Sequence, residues 1–426
     1  MFTAQNDTLV KNTSHKVVLP FYLYAAVAFL VATILLFFST EAFTQHYFHP
    51  HTMAITHAMA LGWGTMIILG ASHQLVPVLI EGRLNSNLLA YASFILAGTG
   101  IPLLVYGFYT FQLALPALLG GILINASIIA FLINLAMSMM RSKHENVHAV
   151  FVFTAVLWLL LTTLLGLVLT FNFTMAFLPK GSLHYLSLHA HMGMVGWFLL
   201  LVIGVGSRLI PMFLISKYTN TKLLWIIYAL VNTGLVIFLG TFLYAPGSLL
   251  YLLPVLMVFA AVAMFAWYCY QCYQKRIRKQ VDSQMKISLL SVSMMLLPVA
   301  VLLIIVVMLL TETVISRLVL AYGFAVFFGW LTALIFGMTF KTLPFIIWNK
   351  VYHLQAGIGK TPNPKDLFSS RLFYLMAVVY LLGFGLFLIG IFAANILILQ
   401  SATLLLIAAA VLYNWNVFKL FMHQSS

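Results

Sequence analysis

Apolar residues run through this chain in twelve long stretches separated by short polar turns. A helix that crosses a bilayer needs roughly 20 consecutive apolar residues. The stretches fall at about 17–39, 54–80, 87–109, 112–139, 148–172, 184–215, 222–244, 248–271, 286–310, 315–347, 370–393 and 396–420. They run continuously apolar rather than alternating with a period of two, which excludes a transmembrane β-barrel. The pattern predicts an all-α polytopic membrane protein, a single membrane domain over 1–426. Composition sharpens this: 63% of residues are apolar and only 7% charged, where soluble domains carry roughly a quarter charged. The first sixteen residues are polar and hold no cleavable signal pattern, so the first span is expected to stay as an anchor.

The net charge of +14 would suggest nucleic acid in a soluble protein. Here it sets topology, and no nucleic-acid partner is expected. With the N-terminus inside, the inner loops carry Arg83, Arg141, Lys143, Lys217, Lys222, Lys275, Arg276, Arg278, Lys279, Lys286, Lys350, Lys360, Lys365 and Arg371. The termini add Lys11, Lys16 and Lys419, whereas the outer loops carry only Lys180 and Arg317. Basic residues gather in cytoplasmic loops. The expectation is a bacterial inner-membrane protein with both termini cytoplasmic. Cys269 and Cys272 form a lone CxxC, too weak a pattern for a metal or redox site.

An internal repeat organises the chain. Gly62-Trp63 is followed by Gly70 and Pro77, Gly196-Trp197 by Gly204 and Pro211, and Gly329-Trp330 by Gly337 and Pro344. All three copies read G-W-x6-G-x6-P and lie 134 and 133 residues apart. Such periodicity marks three four-helix units, about 17–139, 148–271 and 286–420, expected in pseudo-threefold arrangement. Trp63, Gly70 and Pro77 share one helix stripe, which we read as packing between the units, with the glycine permitting close approach and the proline a kink.

Thirteen histidines are many for a membrane protein, and seven cluster: His46, His49, His51 and His57 before and at the start of span 2, and His184, His189 and His191 at the matching end of span 6. His57 and His191 each precede their Gly-Trp by five residues, so they are repeat equivalents; the third unit has Phe324 there. Ionisable groups are costly in lipid and normally face the bundle interior with a function, and neutral imidazole suits iron, copper and zinc. Gly64 lies beneath His57 on one stripe and leaves space for a flat ring, while its equivalent Phe198 either packs against such a ring or fills the gap. A bis-histidine heme between spans 2 and 6, on the matched His57 and His191, is the first expectation, with His189 beside them. The pairs His49-Pro50-His51 and His189-Ala190-His191, with His184, are candidates for a three- or four-histidine copper or zinc site. Loop histidines that bind nothing are the bland alternative. Arg317, at the start of span 10, is the best cation for heme propionates. Glu41 and Glu312 are outer carboxylates that either steer a proton or metal or simply lie at the surface. His73, Arg208 and Lys341 sit at neighbouring inner positions and either line a polar cavity or, for the two cations, snorkel to the interface. His15, His144, His148, His353 and His423 look like inner-surface residues.

Twelve helices in three four-helix arcs, with the repeat on helices 2, 6 and 10, resemble heme-copper oxidase subunit I. In that superfamily these helices supply histidine ligands. The chain departs from it in having no histidine on helix 10 and no histidine pair on helix 7. The resemblance therefore implies a divergent member without the oxidase centre, closer to the NnrS-type heme- and copper-containing membrane proteins linked to nitric oxide stress. It implies heme b, since no covalent heme c attachment motif occurs, and copper as a second candidate metal. The function expected is binding, sensing or detoxifying a diatomic gas such as nitric oxide. The alternatives are a divergent oxygen or nitric oxide reductase fed by quinol or cytochrome c, and a metal-free transporter. No hydrolase triad, paired carboxylates or phosphate loop is present; catalytic residues are not assigned.

Overall fold

Hydrocarbon offers no hydrogen-bond partners, so each span must satisfy its own backbone as a helix. The computed structural model describes residues 13–79, 83–141, 146–277, 279–311, 313, 316–355 and 361–424. Among them twelve helices are long and apolar enough to cross a membrane, and there is no strand. They are α1 (His15–Phe38), α2 (Pro50–Pro77), α3 (Asn87–Tyr109), α4 (Leu115–Met140), α5 (Val147–Thr174), α6 (Ser182–Leu214), α7 (Thr221–Tyr244), α8 (Leu249–Gln274), α9 (Ser283–Leu310), α10 (Ser316–Gln355), α11 (Ser370–Ala393) and α12 (Ile396–Phe421). The bounds agree with the hydropathy reading to within a few residues, except that α10 runs on to Gln355. Side-chain caps explain several starts: Ser86, Asn146, Asn220, Asp282, Ser369 and Asn395 each accept from the third amide of their helix, satisfying a donor the helix leaves open. Of the residues named from sequence, Lys11, Lys143, His144, Arg278, Glu312 and Lys360 lie outside the described residues.

The helices form two concentric layers. The central windows of α2, α6 and α10 are 83, 72 and 78% buried, against 28–50% for the other nine. One contact pattern occurs three times. The inner helix packs on the helix before it (α1 with α2, α5 with α6, α9 with α10). The next two pack together (α3 with α4, α7 with α8, α11 with α12), and the last touches the following group (α4 with α5, α8 with α9, α12 with α1). The α12–α1 contact closes the outer ring.

Each inner helix changes to a π-helical turn at the Gly-Trp motif, over Ala58–Thr65, Met192–Leu199 and Ala325–Leu331. A π turn inserts one residue and rotates the remainder of its helix, and such turns gather at functional sites. The motif residues then do two different jobs. Gly70 lies against Phe21 of α1, Gly204 against Phe151 of α5 and Gly337 against Ser288 of α9, so closely that a Cβ would not fit. The glycine contact is therefore with the preceding helix, a correction to the expected packing between units, because the glycines face outward to α1, α5 and α9. The tryptophans do reach across. Trp63 Nε1–H donates to Thr332 Oγ1 of α10 (3.1 Å), and Trp197 Nε1–H donates to Thr65 Oγ1 of α2 (3.0 Å). Trp330 Nε1 is buried with no partner. The position that would complete the cycle, equivalent to Thr65 and Thr332, holds Leu199.

Candidate functional site

The first turns of α2 and α6 carry the histidines, immediately before the π turns. His57 Nδ1–H donates to the Met53 carbonyl at 2.8 Å, one turn back on its own helix. His189 Nδ1–H donates to the Thr162 carbonyl of α5 at 3.0 Å. Because a carbonyl can only accept, both rings are held as tautomers with Nε2 as a free lone pair. That is the usual state of a metal-ligating histidine, whose second nitrogen is fixed by a backbone carbonyl or carboxylate. The two rings face one another with centroids 6.1 Å apart and planes at 20°.

Both rings line a cavity of about 480 Å³ bounded by α2, α3, α4, α5, α6, α9 and α10, with mostly apolar walls. The volume falls in the range of small-molecule and cofactor sites. Polar groups on the α4–α5 wall are satisfied among themselves: Thr163 Oγ1–H donates to Asn125 Oδ1 (3.0 Å) and Asn125 Nδ2–H to the Thr163 carbonyl (3.2 Å). Gly166 of α5 makes room for His189. A Cβ there would lie 2.8 Å from His189 Cε1, so only glycine lets the ring lie against the α5 backbone. Phe108 of α3 flanks His57 at 4.8 Å.

The other sequence-derived site residues fall differently. His191 does not partner His57. Residues two apart on a helix point roughly 200° from each other, so with His189 turned to α2, His191 turns away, between Phe238 (5.3 Å) and Tyr322 (5.9 Å, planes at 21°). Its Nδ1–H donates to the Ser187 carbonyl (2.7 Å), and its Nε2 is buried without a partner. The space expected over Gly64 is filled by Phe198, since a Cβ on Gly64 would meet its ring at 2.9 Å; Gly64 does not line the cavity. Arg317 is exposed and donates to the Phe392 carbonyl (3.1 Å), away from the cavity wall. His49 and His51 hold the start of α2: His49 Nδ1 accepts from the His51 amide (3.2 Å), and the His51 ring stacks on Tyr109 at 4.1 Å. His184 is exposed at the cavity rim, beside Phe242. Among the described residues no three histidine, cysteine or acidic side chains come together to hold a metal ion. The expected three- or four-histidine site is thus not assembled, because capping, stacking and exposure use its members separately.

The inner group also separates. Lys341 pairs with Asp282, Arg208 is exposed, and His73 is buried against Phe21 and Phe131. His148 is not a plain surface residue: its Nδ1 lies within hydrogen-bond distance of the Gly204 carbonyl (3.1 Å) and Ser207 Oγ (2.9 Å). Cys269 and Cys272 are buried free thiols. Gly166, Thr162 and Tyr322 were not singled out from sequence. Tyr322 had a signal, for it stands 133 residues after His189 at the equivalent repeat position. Gly166 and Thr162 had none, since only the fold brings α5 against His189. No protein-family model matches the chain, and no curated protein matches it.

Proposed function

We propose that this chain is an integral membrane heme protein in which His57 of α2 and His189 of α6 would hold one b-type heme, and that it serves the binding, sensing or removal of a diatomic gas such as nitric oxide. The observation that carries the reading is the facing pair itself: two imidazoles 6.1 Å apart, each fixed through Nδ1 to a carbonyl, on the wall of one large apolar cavity. The residues fit the group. A bound heme would supply iron redox and gas-ligand chemistry; the chain supplies two free lone pairs, a mostly apolar wall and fixed ring orientation. Copper(I) held by the same two imidazoles is the second reading, which would leave the cavity without purpose. The basic asymmetry of the loops supports an orientation with the histidine end outside the cytoplasm. The recurring π turns and the threefold contact pattern support descent from a heme-copper oxidase-like, three-unit architecture that no longer keeps the oxidase ligands.

The test is a dithionite-reduced minus oxidised spectrum with iron and copper counted on the same purified, heme-supplemented sample. A low-spin cytochrome b spectrum with one iron per chain is expected. His57→Ala and His189→Ala should each abolish it, while His191→Ala should keep it. Copper without iron moves the assignment to the second reading. Neither metal sinks both.

A further inference from the structure

Charge gathers at the end of the bundle remote from His57 and His189. The segments 215–222 and 275–286 hold seven of the chain's 21 Lys and Arg against one carboxylate, Asp282, and Asp282 pairs with Lys341. The fold ties the two segments together. Ser216 pairs with Arg276 in an antiparallel bridge, and the Ile277 amide donates to the Ile215 carbonyl (3.0 Å). Ile215 makes this reach in the left-handed region, at φ 52°, where a β-branched residue is rare. The register of the bridge sets Lys217 opposite Lys275, and like charges opposite one another are destabilising. Lys217 and Lys279 are exposed, and so are Lys222 and Lys286 in the first turns of α7 and α9. The Lys275 ammonium lies over the Tyr218 ring at 4.7 Å. The Arg276 guanidinium lies over Tyr273 at 3.8 Å, with its Nε buried and unpartnered. Membrane topology asks only that basic residues gather in the inner loops. It does not ask that two loops be clamped together with their lysines face to face.

Exposed apolar surface adjoins these cations. Ile215 and Ile277 flank the bridge and are 55 and 59% exposed, and the last two turns of α8 expose Trp267 and Tyr270. Tryptophan and tyrosine are enriched where a membrane meets water. We propose that the clamp is a site for one anionic phospholipid, with Lys217, Lys275 and Arg276 on its phosphate and the isoleucines and Trp267 against its acyl chains. Basic clusters at the end of a membrane helix attract anionic headgroups, and the guanidinium fork matches a phosphate. The bound anion relieves the repulsion between Lys217 and Lys275. A free phosphate or a nucleic acid offers nothing to the exposed isoleucines and Trp267, which is why a lipid is the occupant. The site lies at the opposite end of the bundle from the histidine cavity and does not rest on the heme reading.

Native mass spectrometry of the full chain, released from detergent micelles titrated with phosphatidylglycerol or phosphatidylcholine, tests this. The unmodified protein should retain one phosphatidylglycerol at concentrations where phosphatidylcholine is lost. Each lysine near a headgroup changes affinity about fivefold, so Lys217→Gln with Lys275→Gln should weaken retention more than tenfold. Lys217→Arg with Lys275→Arg should restore it. If the double glutamine variant does not fold, Lys275→Gln alone should weaken retention about fivefold. Lys350→Gln with Lys365→Gln, in the α10–α11 loop, should leave it within about twofold, since those lysines lie outside the clamp. No preference for phosphatidylglycerol over phosphatidylcholine overturns the proposal. Equal losses in the two double glutamine variants overturn it too, because the attraction then belongs to the basic surface as a whole. Displacement of the lipid by millimolar inorganic phosphate, or tighter binding of a single-stranded oligonucleotide at the same salt concentration, overturns the choice of a lipid.

Discussion

Replacing Thr332 by valine isolates the bonds that join the inner helices. Thr332 Oγ1 accepts from Trp63 Nε1–H at 3.1 Å and donates to the Phe327 carbonyl at 2.7 Å. Both Thr332 and Trp63 are buried. Valine keeps the shape, so the change strands the buried Trp63 donor and removes the hydroxyl's bond to the Phe327 carbonyl. An unsatisfied buried group costs about 1–3 kcal/mol. Measured hydrogen bonds in membrane bundles average only ~0.6 and reach ~1.7 kcal/mol, because the unfolded chain in lipid finds partners too. The stranded donor and the lost hydroxyl bond together place the loss at about 2 kcal/mol. The internal control is Trp330, whose Nε1–H is buried and already unpartnered. Trp330→Phe removes that orphan, whereas Trp63→Phe removes a bonded donor. With similar ring area lost in each, Trp63→Phe should be the costlier by about 1 kcal/mol. Unfolding in mixed micelles by detergent titration, or by steric trapping, measures these differences. A Thr332→Val protein as stable as the unmodified one, or equal losses for the two tryptophans, would refute the argument that the Trp63–Thr332 bond holds α2 to α10.

Gly166→Ala pushes a Cβ to 2.8 Å from His189 Cε1 and should lower heme content and broaden the low-spin spectrum while the chain still folds; heme per chain by pyridine hemochrome checks it. Tyr322→His creates, opposite His191, a second imidazole pair at a separation close to that of His57 and His189 (5.9 against 6.1 Å); after heme loading a second low-spin signal should appear by electron paramagnetic resonance. Gly204→Ala sets a methyl group against Phe151, and such overpacking costs typically 1–3 kcal/mol, read by the same unfolding titration with the heme spectrum of the folded fraction unchanged.

The fold was legible because lipid leaves the backbone so few choices: continuous apolar stretches must be helices, and asparagine, serine and aspartate caps mark several of their starts. The Gly-Trp spacing also pointed to α2, α6 and α10 as special. It did not say which way the glycines face, because a stripe on a helix is defined only relative to neighbours the sequence does not name. The histidine end was legible as a cluster, yet the partner of His57 was not. Repeat equivalence picked His191, and the structure brings up His189 instead. The signals for Gly64 and Arg317 failed for a related reason: small size and positive charge are local properties, and Phe198 and the Phe392 carbonyl reached those residues from other helices.

The pairing of His57 with His189 can be followed from the helix contact pattern that recurs three times. Residues related by rotation occupy the same place in each unit, so away from the axis they meet a different position of the next unit, as in any head-to-tail interface. Only near the axis do equivalents touch, as Gly64 and Phe198 do. The partner of His57 is therefore sought at a non-equivalent position, and the same offset relates His191 to Tyr322. The third such interface would set Phe324 opposite Ile55. There Phe324 stacks with Phe328 at 4.7 Å and Phe387 at 4.2 Å, and Ile55 is buried, so that interface holds no nitrogen ligand and is filled by carbon. One interface thus carries two imidazoles, one carries an imidazole and a phenol, and one carries none. If the large cavity holds a single heme, this gradation gives the reason it belongs between α2 and α6: only there do both sides of the interface offer a free nitrogen.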